Sequence, residues 1–146
     1  MTEKIRIAIA GYGNIGKGVE AAIAQNEDMV LTAVFTRRNP ESINIATKDA
    51  KVVNLADAAS YKDDIDVMIL CGGSATDLPV QVPEMAALFH TVDSFDTHAK
   101  IPEYFSSVDE VAKANGHVSI ISVGWDPGMF SIQRLLGEAI LPEGKY

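Results

Sequence analysis

Apolar, β-branched runs recur along this chain, separated by stretches of helical spacing or by glycine, proline and asparagine. Ile5-Arg6-Ile7-Ala8-Ile9-Ala10 ends at Gly11 and reads as a buried strand. Residues 14–26 read as a helix with Ile15, Val19, Ala22 and Ile23 at helical spacing. Residues 30–36 predict a second strand, which Asn39-Pro40 closes. The polar stretch 39–50 predicts no regular element. Residues 51–55 predict a short strand, residues 56–64 a short helix or turn, and residues 66–71 a strong strand ending at Gly72-Gly73. A helix follows over 77–89, its regular part confined to the later residues by Pro79 and Pro83. Thr91-Val92-Asp93-Ser94 continues as a short strand. Residues 100–115 read as a helix, with Pro102 in the first turn and Gly116 at the stop. Residues 118–123 predict another buried strand. Asp126 or Pro127 then starts a last helix running to about Leu141, which Pro142 and Gly144 end.

Strands alternate with helices throughout. That order predicts an α/β fold, a doubly wound and mainly parallel sheet covered on both faces. The chain of 146 residues is long enough for one domain with its own core, and shows no repeat, linker or low-complexity tract.

Composition changes this picture little. Apolar residues make up 47% and charged residues 22%, which is ordinary for a globular domain. No apolar run of about 18 residues exists, so no membrane span is expected. Met1-Thr2-Glu3-Lys4 carries no secretory segment and runs straight into the first strand. Cys71 is the single cysteine, which excludes an internal disulfide and fits a cytoplasmic protein. The net charge of −8 argues against nucleic acid as a partner. No Cys/His cluster or H-x-x-x-H spacing exists, so no metal is expected.

The candidate chemistry lies at the ends of the strands. Gly11-Tyr12-Gly13-Asn14-Ile15-Gly16 fits G-x-G-x-x-G, between a first strand and a helix, the context that a dinucleotide-binding (Rossmann) turn requires. Gly11 permits the tight turn, Gly13 lets the backbone approach a pyrophosphate, and Gly16 lets the helix pack against the strand. Free N–H groups at the helix start then face the phosphates. An NAD site carries an acid at the second strand end, to bond the ribose 2′-hydroxyl. Here that end reads Phe35-Thr36-Arg37-Arg38. A hydroxyl and two guanidinium groups attract a 2′-phosphate, which predicts NADP over NAD. Lys17 adds a third basic residue near this cleft.

Three further strand ends face the same side. Cys71-Gly72-Gly73-Ser74-Ala75-Thr76-Asp77 is small and polar and suits a nicotinamide ribose, with Cys71 itself reading as a buried small residue. Asp93-Ser94-Phe95-Asp96-Thr97-His98 and Gly124-Trp125-Asp126-Pro127-Gly128-Met129 each set a carboxylate beside an aromatic ring, an arrangement able to hold a cationic amine. Two readings stand for Asp126: an amine-binding carboxylate, or the N-cap of the last helix. Asp93 reads equally as a structural group. His98 reads as an acid–base residue or a hydrogen-bonded scaffold residue. His90 and His117 sit at strand starts, the wrong end of the sheet for a site.

These motifs, continued by Phe130-Ser131, resemble in order and spacing the N-terminal portion of the meso-diaminopimelate dehydrogenase family. The resemblance implies NADP-dependent, reversible oxidative deamination of the D-centre of meso-2,6-diaminopimelate, giving L-2-amino-6-oxopimelate and ammonia, in lysine and cell-wall precursor synthesis. It implies that Tyr12, Gly13, Asn14 and Ile15 hold the pyrophosphate and Thr36, Arg37 and Arg38 the 2′-phosphate. It places Cys71, Gly72, Gly73 and Ser74, Asp96, Thr97 and His98, and Pro127, Gly128, Met129, Phe130 and Ser131 along the cofactor. It places Asp96, Trp125 and Asp126 around the D-centre, with Asp96 the first and Asp126 the second candidate for the catalytic base. Family members are longer. They continue into a substrate and dimerisation domain that this chain lacks, so the resemblance implies a truncated chain of a homodimeric enzyme, with an apolar face exposed where that domain packs. Two alternatives are a non-catalytic NADP-binding module and another NADP-dependent reductase of the lysine or aspartate pathway. The module does not call for Asp96 together with Trp125-Asp126, and the Trp125-Asp126-Pro127-Gly128 stretch argues against the other reductases.

Overall fold

The computed structural model describes residues 4–144. Met1, Thr2 and Glu3, and with them the leaderless start expected from the sequence, lie outside the described residues, as do Lys145 and Tyr146. Six strands form one sheet: β1 (Ile5–Ala10), β2 (Met29–Thr36), β3 (Lys51–Asn54), β4 (Val67–Leu70), β5 (His90–Asp93) and β6 (Ser119–Ile120). Their order is β3-β2-β1-β4-β5-β6, and every adjacent pair is parallel. The chain thus winds out from β1 in one direction and, after β3, crosses over to wind out in the other. Ligands in such sheets bind at that reversal, beyond the carboxyl ends of the strands.

Alternation along β1 divides the core. Ile7 and Ile9 face one side of the sheet and pack with Leu31, Val34 and Ile23 of α1 (Asn14–Ile23). Ala8 and Ala10 face the other, with Phe35, Met68 and Leu70, under α2 (Leu78–Ala86) and α3 (Ile101–Asn115). Gly116 ends α3 in the left-handed region, at φ 71°, as its position after the last helical residue requires.

Four expectations need correction. The buried face of α1 is Gly16, Glu20 and Ile23, while Ile15 is exposed. Gly16 must face β1, because a Cβ there would run into the Gly11 carbonyl. That orientation carries residue 20, one turn on, inward as well. Second, α2 is regular from Leu78: Pro79 sits in its first turn, where no N–H is needed, and Pro83 is accommodated inside. Third, residues 118–123 are not a buried strand. Only Ser119–Ile120 pair, at the sheet edge, and Val118, Ile120 and Val123 are half or more exposed. Fourth, the last helix, α4 (Met129–Ile140), starts later than Asp126, with Gly128 as its N-cap.

Candidate functional site

The glycine turn follows β1 at the reversal of strand order. Gly11 has φ 94°, a left-handed conformation that a side chain would strain. Its N–H donates to the Phe35 carbonyl at 2.9 Å, fastening the turn to β2. A Cβ on Gly13 would meet nothing within 4 Å. The protein's own packing therefore does not demand glycine there. The open space lies where a phosphate would approach the first turn of α1, so the cradle fits a dinucleotide.

Tyr12 is not a surface residue of this turn. Its ring is buried and its hydroxyl donates to Glu20 Oε2. Burial first, then the Glu20 carboxylate, pushes the phenol up to about 12. Glu20 Oε1 accepts from the amides of Ala46 at 2.9 Å and Thr47 at 2.7 Å. Burial works to raise the Glu20 carboxyl, but the bonds from Tyr12, Thr47 and Ala46 together hold it below its ordinary value. A buried carboxylate stripped of partners costs about 3–5 kcal/mol, so these donors are what make an inward acid tolerable.

Thr36, Arg37 and Arg38 leave the end of β2 beside the glycine turn. Thr36 is buried, and its Oγ1 accepts from the Arg38 amide at 3.0 Å. Arg38 Nη2 donates to the Tyr12 carbonyl at 2.9 Å. Arg37 is exposed and pairs at 2.9 Å with Asp77, beyond β4. Asp77 also accepts from the Gly73 amide at 2.9 Å, and that bond together with Arg37 holds its carboxyl below the ordinary value. The Arg37–Asp77 bridge thus joins the two strand ends that flank the glycine turn. Glu20 and Asp77 were both missed by sequence reasoning. For Glu20 the available signal was its position one helical turn after Gly16.

Beyond β4, Cys71 is buried, and burial pushes its thiol up to about 12, so it reads as a packed residue and not a nucleophile. Ser74 Oγ accepts from the Asp96 amide at 2.9 Å, joining the loops after β4 and β5. Asp96 is exposed, but its neighbour Phe95 is buried and stacks on Tyr104, with centroids 4.1 Å apart. Adjacent residues in extended chain point opposite ways, so the expected pairing of Asp96 with that ring does not occur. Asp93 is structural: buried, it accepts from the Phe95 and Ser122 amides and the Tyr104 hydroxyl. Ser122, at φ 60°, has the one buried side-chain oxygen without a partner among the described residues.

Asp126 caps no helix. Arg134 donates to both its oxygens, at 3.0 and 2.7 Å, and His98 Nε2 lies 3.0 Å away. Arg134 first, then His98, draws its carboxyl down to about 2. Arg134, eight residues on, was not singled out in the sequence. Trp125 is 69% exposed and stacks on Phe130 at 5.9 Å. Across three loops, Ser74 is thus joined to Asp96 and His98 to Asp126, while His90 and His117 meet edge-on at the opposite end of the sheet. Among the described residues no group of three or more His, Cys, Asp or Glu side chains is placed to hold a metal ion, and no helix is long and apolar enough to cross a membrane.

The parallel sheet, its reversal at β1 and the open glycine cradle together define a Rossmann-type dinucleotide-binding domain. No protein-family model matches the chain. Individual proteins do. The meso-diaminopimelate D-dehydrogenase of Ureibacillus thermosphaericus is 64% identical over 141 residues, 97% of this chain and 43% of that protein. The Corynebacterium glutamicum DAP dehydrogenase in complex with DAP superposes with a TM-score of 0.81 at 46% identity, over 97% of this chain and 43% of that one. An engineered D-amino acid dehydrogenase bound to NADP+ gives a TM-score of 0.81 at 46% identity, over 96% and 42%. In sequence and fold the chain is similar to the N-terminal portion of the meso-diaminopimelate dehydrogenases, and it spans about 43% of the length of the relatives it matches.

Proposed function

We propose that this chain is the NADP-binding domain, residues 1–146, of an enzyme that oxidatively deaminates the D-centre of meso-2,6-diaminopimelate to L-2-amino-6-oxopimelate and ammonia. One observation carries the cofactor half of this reading: two arginines and the Thr36 hydroxyl occupy the end of β2, where an NAD site holds an acid. The open cradle at Gly13 and the first turn of α1 receive the pyrophosphate. Residues 71–74, 96–98 and 127–131 line the nicotinamide half. When bound, NADP supplies the acceptor for the two electrons of the oxidation.

The protein's own task is to orient the amino acid and take a proton from its amine, because the C–H electrons leave only when nitrogen can donate its lone pair. Asp96, an exposed carboxylate, is the first candidate for that base. Asp126 is drawn to a low pKa by Arg134 and His98, which suits a fixed charge holding the ammonium or an ordered water better than a proton acceptor. Trp125 offers its face alongside. The whole enzyme is a cytoplasmic homodimer with no nucleic-acid partner. The net charge of −8 supports the last point.

Titration of NADP+ and NAD+ into the parent and into Arg37→Ala/Arg38→Ala tests the reading. NADP+ binds the parent at least about a hundredfold tighter, as two charge-assisted phosphate contacts imply, and the double variant binds both cofactors alike. Equal affinities in the parent overturn the proposal.

A further inference from the structure

We propose that Glu20 is a positioning residue for recognition of the cofactor's 2′-phosphate, acting through Tyr12 and the segment that carries Arg38. The inference rests on the NADP reading above and deepens it.

The bonds form a continuous path. Arg38 Nη2 rests on the Tyr12 carbonyl at 2.9 Å. Tyr12 stands between the two glycines of the turn, and its hydroxyl donates to Glu20. The other Glu20 oxygen ties down Ala46 and Thr47 through their amides, at 2.9 and 2.7 Å. The segment from Thr36 to Thr47 is therefore fastened at both ends, at its start by the Thr36 hydroxyl on the Arg38 amide and at its far end by Glu20. Between those ties its regular structure is one short turn, Pro40–Ser42, with buried Ile43 as an apolar anchor. One buried carboxylate thus holds Tyr12, on whose carbonyl Arg38 rests, and the far end of the arginine segment.

The two nicotinamide dinucleotides differ only at the ribose 2′ position. A residue that acts through Arg38 alters binding of the phosphorylated form alone, whereas a general fold defect weakens both. Leu at position 20 keeps the bulk and loses all three hydrogen bonds. Gln keeps an acceptor for the two amides and an N–H to donate to the Tyr12 oxygen. Tyr12→Phe removes the hydroxyl alone.

The test is titration of NADP+ and NAD+ into the parent, Glu20→Leu, Glu20→Gln and Tyr12→Phe, with circular dichroism to confirm folding. Affinity for NADP+ falls about tenfold in Glu20→Leu and about threefold in Tyr12→Phe, while affinity for NAD+ changes less than about twofold, and Glu20→Gln recovers most of the loss. Equal weakening of both cofactors, or unchanged NADP+ binding in Glu20→Leu, overturns the proposal. If Glu20→Leu does not fold, an unchanged preference in folded Tyr12→Phe overturns it. A parent that prefers neither cofactor removes the proposed function and this inference together. A parent that prefers NADP+, with variants that keep the same preference, removes the inference alone.

Discussion

The two halves of the cleft are built in opposite ways. At β1, α1 and β2 Glu20 is buried and answered from within by Tyr12 and two amides, and Arg38, itself exposed, rests on the Tyr12 carbonyl. At α4 and the loop before it, Ile132, Leu135, Leu136 and Ile140 are each more than half exposed, and the Asp126–Arg134–His98 cluster lies at the surface. The first half has a rigid geometry set by its own contacts. The second presents apolar and charged groups whose covering the described residues do not supply, and the apolar surface expected from the family resemblance is found on α4. The lesson is that the half proposed to recognise the cofactor rests on local, self-contained packing, and the half proposed to hold the amine does not.

The sharpest way to break this contrast is Gly16→Val. The added carbons would meet the Gly11 carbonyl and lift α1 from β1. Overpacking of this kind costs about 1–3 kcal/mol of stability, and NADP+ binding should be lost with the cradle; thermal unfolding and titration of one preparation read both. Intact NADP+ binding would show that the turn tolerates far more movement than its packing suggests.

A smaller effect separates the halves by salt. Glu20 and Asp126 both titrate below their ordinary values in the folded chain, Asp126 at about 2. Each therefore stabilises the fold above the ordinary carboxylate range and loses that contribution as pH falls through its folded value. Asp126 faces solvent, so salt screens Arg134 and His98. Carboxyl NMR titrations in about 1 M salt should show the Asp126 midpoint rising towards 3.8, its ordinary value, while that of Glu20 stays put. Equal movement of both would mean that Glu20 is more solvated than its burial implies.

The smallest effect belongs to Leu135→Lys on the exposed face of α4. Removing exposed apolar surface should change stability by no more than about 0.5 kcal/mol and leave NADP+ affinity untouched. A loss of several-fold in affinity would extend the cofactor half from the first residues of α4 along its exposed face and erase the distinction drawn here.

The sequence by itself determined the alternation of strands and helices, the glycine turn and the replacement of an acid by Thr36-Arg37-Arg38, because each is a local pattern of period, conformational freedom or charge. Which polar groups face inward was decided only by the tertiary structure. Helical spacing pointed to Ile15 and Val19, yet the close approach of Gly16 to β1 turned α1 so that Glu20 is buried and Ile15 exposed. Asp77 met Arg37 forty residues away, and Asp126 met Arg134 instead of a helix N-terminus. Spacing along the chain carries no information about partners brought together by a crossover, and the apolar run at 118–123 has the pattern of a core strand but lies at an open edge.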